Sequence, residues 1–170
     1  PLVSSSAASD VYKRQADWDY ITSVVDSVDV PVIANGDVVD ADTARACLLQ
    51  THAAGLMIGR GAIGRPSVFG EIKVGLGWME RDELPWIANF EGNWDNLGYV
   101  EKQFATRRWC WNRYIELARQ TTGLDIKSMR GHAVSFTKGL PSAKKIRSIM
   151  HGKQSREEFA QATSEFLATH

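Results

Sequence analysis

At 170 residues, the chain is long enough to bury one ordinary hydrophobic core or two small ones. Its 20 Lys and Arg residues balance its 20 Asp and Glu residues, so the net charge points to no class of partner. Its two cysteines are too few and too far apart for a disulfide framework or a metal site, and no apolar run is long enough to span a membrane. A reduced, cytoplasmic protein is therefore expected.

The leading segment, residues 1–15, is small, polar and aperiodic, and the pattern "ADWDYI" follows it abruptly. The chain also begins without a Met. We therefore expect residues 1–15 to be a disordered, non-native leader joined to a fragment, with a disordered native arm as the alternative. The fold is predicted from residue 16 onward.

Helices and short β-branched runs alternate over the next segment. Residues 17–27 carry apolar side chains at helical spacing, and "VPVIAN" (residues 30–35) is typical of a buried parallel strand. Asp40 is the predicted N-cap of a second helix, and "AGLMIG" (residues 54–59) is predicted to be a second buried strand. The connection between the two strands has the length of one βαβ crossover, which indicates an α/β fold with parallel strands.

No strand is predicted after Pro66. A helix is expected after it, followed by an irregular connection over residues 81–98. Four further helices are predicted, over residues 99–121, 125–137, 142–150 and 155–168. The predicted fold class is therefore α/β followed by all-α.

Glycine-containing turns follow both predicted strands, "NGD" at residues 35–37 and "GRG" at residues 59–61. Parallel strands bind ligands at their carboxyl ends, and in (β/α)8 barrels the loops after the last two strands often hold phosphate together. Arg60 would add a fork-shaped cation suited to phosphate. Either turn alone is more typical of ordinary loop structure, but the pair predicts one anion site.

Positive charge is concentrated toward the C-terminus. Residues 127–156 hold eight Lys or Arg residues and no Asp or Glu. Such a segment is either a solvated face or the binding surface for a polyanion. The residues that flank the "GLP" turn, together with one arginine upstream, are the candidates for binding RNA phosphates: Arg130, Lys138, Lys144, Lys145 and Arg147.

Four stretches together resemble a known family: "ADWDYI", "PVIANGDV", "GLMIGRGAIGRP" and "MRGHAVSFTKGLPSAKKIR". They are similar to the C-terminal half of tRNA-dihydrouridine synthases, in particular the B-type bacterial branch. The resemblance runs from about residue 16 to residue 167. It implies the last two strands of an FMN-binding (β/α)8 TIM barrel over residues 16–80, a connection over residues 81–98, and a helical tRNA-binding domain over residues 99–170.

The resemblance also implies an activity, the reduction of uridine to 5,6-dihydrouridine in tRNA with FMN and NADPH, by an enzyme that is monomeric at full length. Asn35, Gly36 and Asp37 would line the flavin site, and Gly59 and Arg60 would hold the FMN phosphate. No catalytic residue is assigned, because the family's proton-donor cysteine, flavin-contacting lysine and histidine-containing loop lie upstream of the matched segment.

Cys47 and Cys110 both fall on helices where a small core residue is expected, so neither is a candidate proton donor. The 170-residue chain alone is therefore predicted to be inactive. Two alternatives stay open: another FMN- or phosphate-binding TIM-barrel oxidoreductase that acts on a small molecule, and a non-catalytic RNA-binding module.

Overall fold

The computed structural model describes residues 16–120 and 126–169, so the predicted leader lies outside the described residues. Strands β1 (Ile33–Asn35) and β2 (Gly55–Met57) form a two-stranded parallel sheet, with Ile33 opposite Gly55. The helices in chain order are α1 (Trp18–Ser27), α2 (Ala41–Thr51), α3 (Val68–Gly75), α4 (Pro85–Ala88), α5 (Tyr99–Gln120), α6 (Ile126–Thr137), α7 (Ala143–Met150) and α8 (Arg156–Leu167). Among the described helices, none combines the length and the apolar composition that a membrane crossing requires.

Capping groups fix where the helices begin. The Asp40 carboxylate accepts a hydrogen bond from the Thr43 backbone N–H at 2.8 Å, and the Thr43 hydroxyl accepts one from the Asp40 N–H at 3.1 Å. The bond from the Thr43 N–H, together with one that the Thr43 hydroxyl donates to the Asp40 Oδ1 at 2.7 Å, lowers the pKa of Asp40. Ser155 and Glu158 form the same reciprocal arrangement at the start of α8. The predicted N-cap at Asp40 is confirmed.

The α/β part, comprising both strands and α1 to α3, has a small buried cluster. Ala34, Ala44, Cys47 and Val68 are its most deeply buried side chains. The strands are covered on one face only: Ala34 is 1% exposed, whereas its neighbour Ile33 is 57% exposed. The expectation of buried strands is therefore wrong for the second face, because within the described residues the helices pack on one side of the sheet.

The helical part, comprising α5 to α8, has a larger core of aromatic side chains. Phe104 and Trp111 are wholly buried, and the Trp111 indole N–H donates to the Ser164 hydroxyl at 3.1 Å. Trp86 and Leu84, from the segment predicted to be an irregular connection, are buried in the same core. That segment contains the short helix α4, and its apolar side chains attach it to the helical part.

The loop after β2 joins the two parts at Gly64. Gly64 has a φ of +71°, and a Cβ added there would lie 2.4 Å from the backbone carbonyl carbon of Ser135 in α6. Any side chain at this position would collide with main-chain atoms. The loop and α6 are therefore in direct backbone contact.

Candidate phosphate and flavin site

The turns after β1 and β2 lie side by side, because the two strands are paired in parallel with Asn35 opposite Met57. A Cβ added to Gly61 would lie 2.9 Å from the Val38 carbonyl oxygen, so only glycine allows the second turn to approach the first this closely. Together the turns line a cavity of about 560 Å³. We call this region the glycine-loop cradle; it consists of Asn35, Gly36, Asp37, Gly59 and Arg60.

Asp37 and Arg60 form an ion pair across the cradle. Asp37 has a φ of +54°, which turns its carboxylate toward the second loop, and its Oδ1 lies 3.7 Å from the Arg60 Nη2. Both side chains are open to solvent, with 41% of Asp37 and 80% of Arg60 exposed. An exposed pair at this distance is weak, so Arg60 can rotate to another anion at little cost.

The segment before α1 braces the first turn. The Ala16 backbone N–H donates to the Asp37 Oδ2 at 2.7 Å, and the Trp18 indole N–H donates to the Gly36 carbonyl oxygen at 3.1 Å. Trp18 belongs to the apolar pattern of residues 17–27 and packs against the buried cluster of the α/β part. Its indole N–H makes it a support of the cradle as well.

Arg65 connects the loop after β2 to the main chain that follows the first turn. Its Nη1 donates to the Val39 carbonyl oxygen at 3.4 Å, and its Nη2 forms an ion pair with the Glu71 carboxylate. The spacing of motifs did not single out Arg65. Its position directly before Pro66 in the "GRP" stretch is the sequence feature that could have indicated its contacts.

The cradle suits a ligand that carries a phosphate group. A cavity of about 560 Å³ lies within the range of about 300–1,000 Å³ typical of small-molecule sites. Arg60 provides a guanidinium, and Asn35 provides an amide whose nitrogen is in contact with the Met57 sulfur. Asp37 offsets the Arg60 charge, so the cradle attracts an anion less strongly than an isolated arginine would.

The candidate RNA-binding cations are on the surface of the helical part. On α7, Ala143, Ile146 and Met150 face the core, which leaves Lys144 and Lys145 exposed on the other side. The remaining three candidates are an exposed Lys138, a half-buried Arg147 and an exposed Arg130 whose Nη2 lies 3.3 Å from the His151 Nδ1.

Neither cysteine is placed to act on a ligand in the cradle. Cys47 lies on the buried face of α2, and Cys110 lies in the helical core. Burial raises the pKa of Cys110 to about 11 and also raises the pKa of Cys47. Within residues 16–120 and 126–169, no group of three His, Cys, Asp or Glu side chains could hold a metal ion.

Comparison with known proteins gives consistent matches. A family model described as "Dihydrouridine synthase (Dus)" matches residues 6–169. A probable tRNA-dihydrouridine synthase of Rickettsia conorii is 31% identical over 140 residues, which cover 82% of this chain and 38% of the relative. A tRNA-dihydrouridine(16) synthase of Shewanella oneidensis is 46% identical over 102 residues, 58% of this chain and 29% of the relative. A tRNA-dihydrouridine synthase B of Pseudomonas putida is 42% identical over 89 residues, which cover 52% of this chain and 26% of the relative. The chain thus spans well under half the length of these relatives.

Proposed function

Because the chain belongs to the dihydrouridine synthase family, as its motifs predicted, we propose that it is part of an oxidoreductase that reduces uridine to 5,6-dihydrouridine in tRNA. The enzyme uses FMN, with NADPH as the reductant, and works in the cytoplasm as a monomer. Residues 16–80 supply the last two βα units of its TIM barrel, residues 81–98 connect them, and residues 99–170 form a helical tRNA-binding domain.

This proposal rests on the close approach of the two glycine-containing turns. Their cavity lies at the carboxyl ends of paired parallel strands, where α/β folds place ligands, and Gly61 allows the turns to touch. Asn35, Gly36 and Asp37 line the flavin site. Gly59 and Arg60 hold the phosphate, which replaces the Asp37 carboxylate as the partner of the Arg60 guanidinium. The bound flavin supplies hydride for the reduction.

The 170-residue chain alone does not reduce uridine in this proposal. The reaction needs a proton donor beside the uridine, and the two cysteines of the described residues are buried in cores with raised pKa values. Uridine reduction by the purified chain would contradict this expected inactivity.

The exposed Lys and Arg residues of the helical part bind the phosphate backbone of tRNA in this proposal.

A comparison of FMN with riboflavin tests the cradle directly, since the two differ only in the phosphate. Flavin fluorescence during titration of the 170-residue chain should give tighter binding of FMN. Arg60→Gln should weaken FMN binding by about 10-fold or more while leaving riboflavin unchanged, because a charge-assisted hydrogen bond contributes about 1.5–3 kcal/mol.

Arg45→Gln is the matched control for that experiment. Arg45 is also an exposed arginine of the α/β part, and it pairs with Asp42 rather than facing the cradle. We expect it to change FMN affinity less than about twofold at physiological salt, because exposed charges outside a site are screened. Equal effects of Arg60→Gln and Arg45→Gln, or equal affinities for FMN and riboflavin, would refute the cradle.

A further inference from the structure

A polar stripe runs along the first half of α5, on the face directed at the loop after β2 and the start of α3. Its members recur at the spacing of one helix face: Tyr99, Lys102, Gln103, Thr106 and Arg107. Opposite the stripe lie Arg65, Ser67 and Glu71, and the two sides enclose a cavity of about 410 Å³. We call this the α3–α5 cavity. It shares no lining residue with the glycine-loop cradle.

Positive charge exceeds negative charge around the α3–α5 cavity. Arg65, Lys102 and Arg107 line it, against Glu71 alone, and Glu71 is already paired with Arg65. Burial, and secondarily the charge of Arg65, lower the pKa of Arg107. With Arg65 paired to Glu71, Lys102 and Arg107 are the lining cations that no lining carboxylate offsets, and their charges favour an anion in the cavity.

Arg107 is held in place with donors to spare. Its Nη1 donates to the Phe136 carbonyl oxygen at 2.8 Å and to the Lys138 carbonyl oxygen at 3.5 Å, where α6 ends. Its Nε and Nη2 groups find no acceptor in the part of the chain that the structure describes. A guanidinium fixed at one nitrogen and open at the others is suited to an oxyanion.

Ser67 adds an unused hydroxyl at the same place. It is the N-cap of α3 and is only 2% exposed, yet its side chain makes no capping hydrogen bond. No other described residue bonds to that hydroxyl, and Ser67 lines the cavity. The hydroxyl is reached by solvent at the cavity rather than sealed in the core, so it can donate to water or to a bound oxyanion.

We propose that the α3–α5 cavity binds a phosphate group, held by Lys102, Arg107 and Ser67. The chemistry is that of a phosphate oxyanion, which either a nucleotide monoester or the diester backbone of RNA provides. This inference is independent of the activity proposed above, because it rests on residues outside the cradle.

Isothermal titration of the 170-residue chain with inorganic phosphate, 5′-UMP and the dinucleotide UpU tests the proposal. Lys102→Gln should weaken phosphate binding by about 10-fold, as expected for loss of a charged hydrogen-bond donor. Ser67→Ala should weaken it by about two- to tenfold without changing the charge, as expected for one neutral hydrogen bond. A preference for 5′-UMP identifies a monoester as the ligand, and equal affinity for UpU identifies an RNA phosphate.

Titration in the Arg60→Gln background removes the cradle cation, so phosphate binding that persists there belongs to the α3–α5 cavity. Within that background, Lys73→Gln is the control for nonspecific attraction, because it removes the same charge as Lys102→Gln from an exposed position in the last turn of α3. Lys73→Gln should leave phosphate affinity within about twofold, given salt screening. If none of the three probes saturates at up to about 10 mM, beyond weak specific affinity, or if Lys102→Gln and Ser67→Ala match Lys73→Gln, the site does not exist. Unchanged circular dichroism of Ser67→Ala excludes misfolding as the cause of a loss.

Discussion

The α/β part and the helical part bury different kinds of side chain. The α/β part buries small residues such as Ala34 and Ala44 and leaves Ile33 and Met57 more than half exposed. The helical part encloses Trp111 and Phe104 completely. Apolar area removed from water is the main stabilising term, so the helical part contributes more stability per residue. The α/β part contributes loops that meet at strand ends, where a ligand can reach the backbone.

The largest expected effect tests where the stability resides. Trp111→Ala removes a wholly buried indole and its hydrogen bond to Ser164, and we expect it to lower the free energy of unfolding by about 3–5 kcal/mol. Denaturant unfolding followed by circular dichroism measures this loss. Trp78→Ala is the control, since Trp78 is 63% exposed. Similar losses for the two variants would contradict a core centred on Trp111.

The next effect tests whether the cations of the helical part bind RNA. Replacing Lys144, Lys145 and Arg147 together by Gln should make tRNA binding less dependent on salt. The negative slope of log affinity against log salt should become shallower by roughly 2 to 3, because each phosphate contact contributes about 0.7–0.9 to its magnitude. Filter binding at several salt concentrations gives the slope.

The matched control for that triple variant neutralises three exposed cations elsewhere, Arg45, Lys73 and Arg81. If the control lowers the slope as much, the affinity is general attraction rather than a site on α7. If neither variant changes tRNA binding, the helical part has another partner, and the RNA-binding part of the proposed function fails while the cradle remains testable with flavin.

Features that depend on a few neighbouring residues could be predicted from the sequence. The cap at Asp40, the cap at Ser155 and the apolar stripe of α2 that includes Cys47 all arise within one or two helical turns. The α/β-then-helical order follows from the same local patterns. The adjacency of the two glycine turns was also predictable, because parallel strands joined by one crossover end at the same edge.

Contacts between residues distant in the chain could not be predicted in the same way. The Asp37–Arg60 ion pair depends on the φ of +54° at Asp37, and the burial of Trp86 depends on how α4 packs against the helical core. Arg107 was hidden because it appears in the sequence as one more charge on a polar helix. Its role at the end of α6 arises only when two helices are brought together.

A moderate effect tests whether the two parts unfold together. Asp40→Ala removes a helix cap in the α/β part and Ser155→Ala removes one in the helical part, and each should lower stability by about 1 kcal/mol. If the chain unfolds in one transition, both variants shift the same midpoint. If Asp40→Ala shifts only an early, minor transition, the α/β part unfolds separately.

The pH dependence of Asp40 sharpens that experiment. The folded-state pKa of Asp40 is lowered, mainly by its hydrogen bonds from Thr43, so its stabilisation is present above the unfolded pKa and is lost as the pH falls through the folded one. The stability difference between the parent chain and Asp40→Ala should therefore shrink below about pH 4. Asp40→Asn keeps an acceptor for the Thr43 N–H and should show the smaller loss at neutral pH. A difference that stays constant from pH 7 to pH 3 would show that the charged cap does not contribute.

The smallest effect concerns the electrostatics of the cradle itself. Asp37→Asn removes the negative charge beside Arg60 but keeps an oxygen for the Ala16 N–H, and Asn tolerates the positive φ at this position. With Arg60 released, FMN affinity should rise by up to about fivefold, since an exposed ion pair contributes at most about 1 kcal/mol. Riboflavin affinity should not change, because riboflavin has no phosphate for Arg60 to bind. A fall in affinity for both flavins would instead mean that the Asp37 carboxylate contacts the ring portion of the ligand, and the pair with Arg60 would then be secondary to that contact.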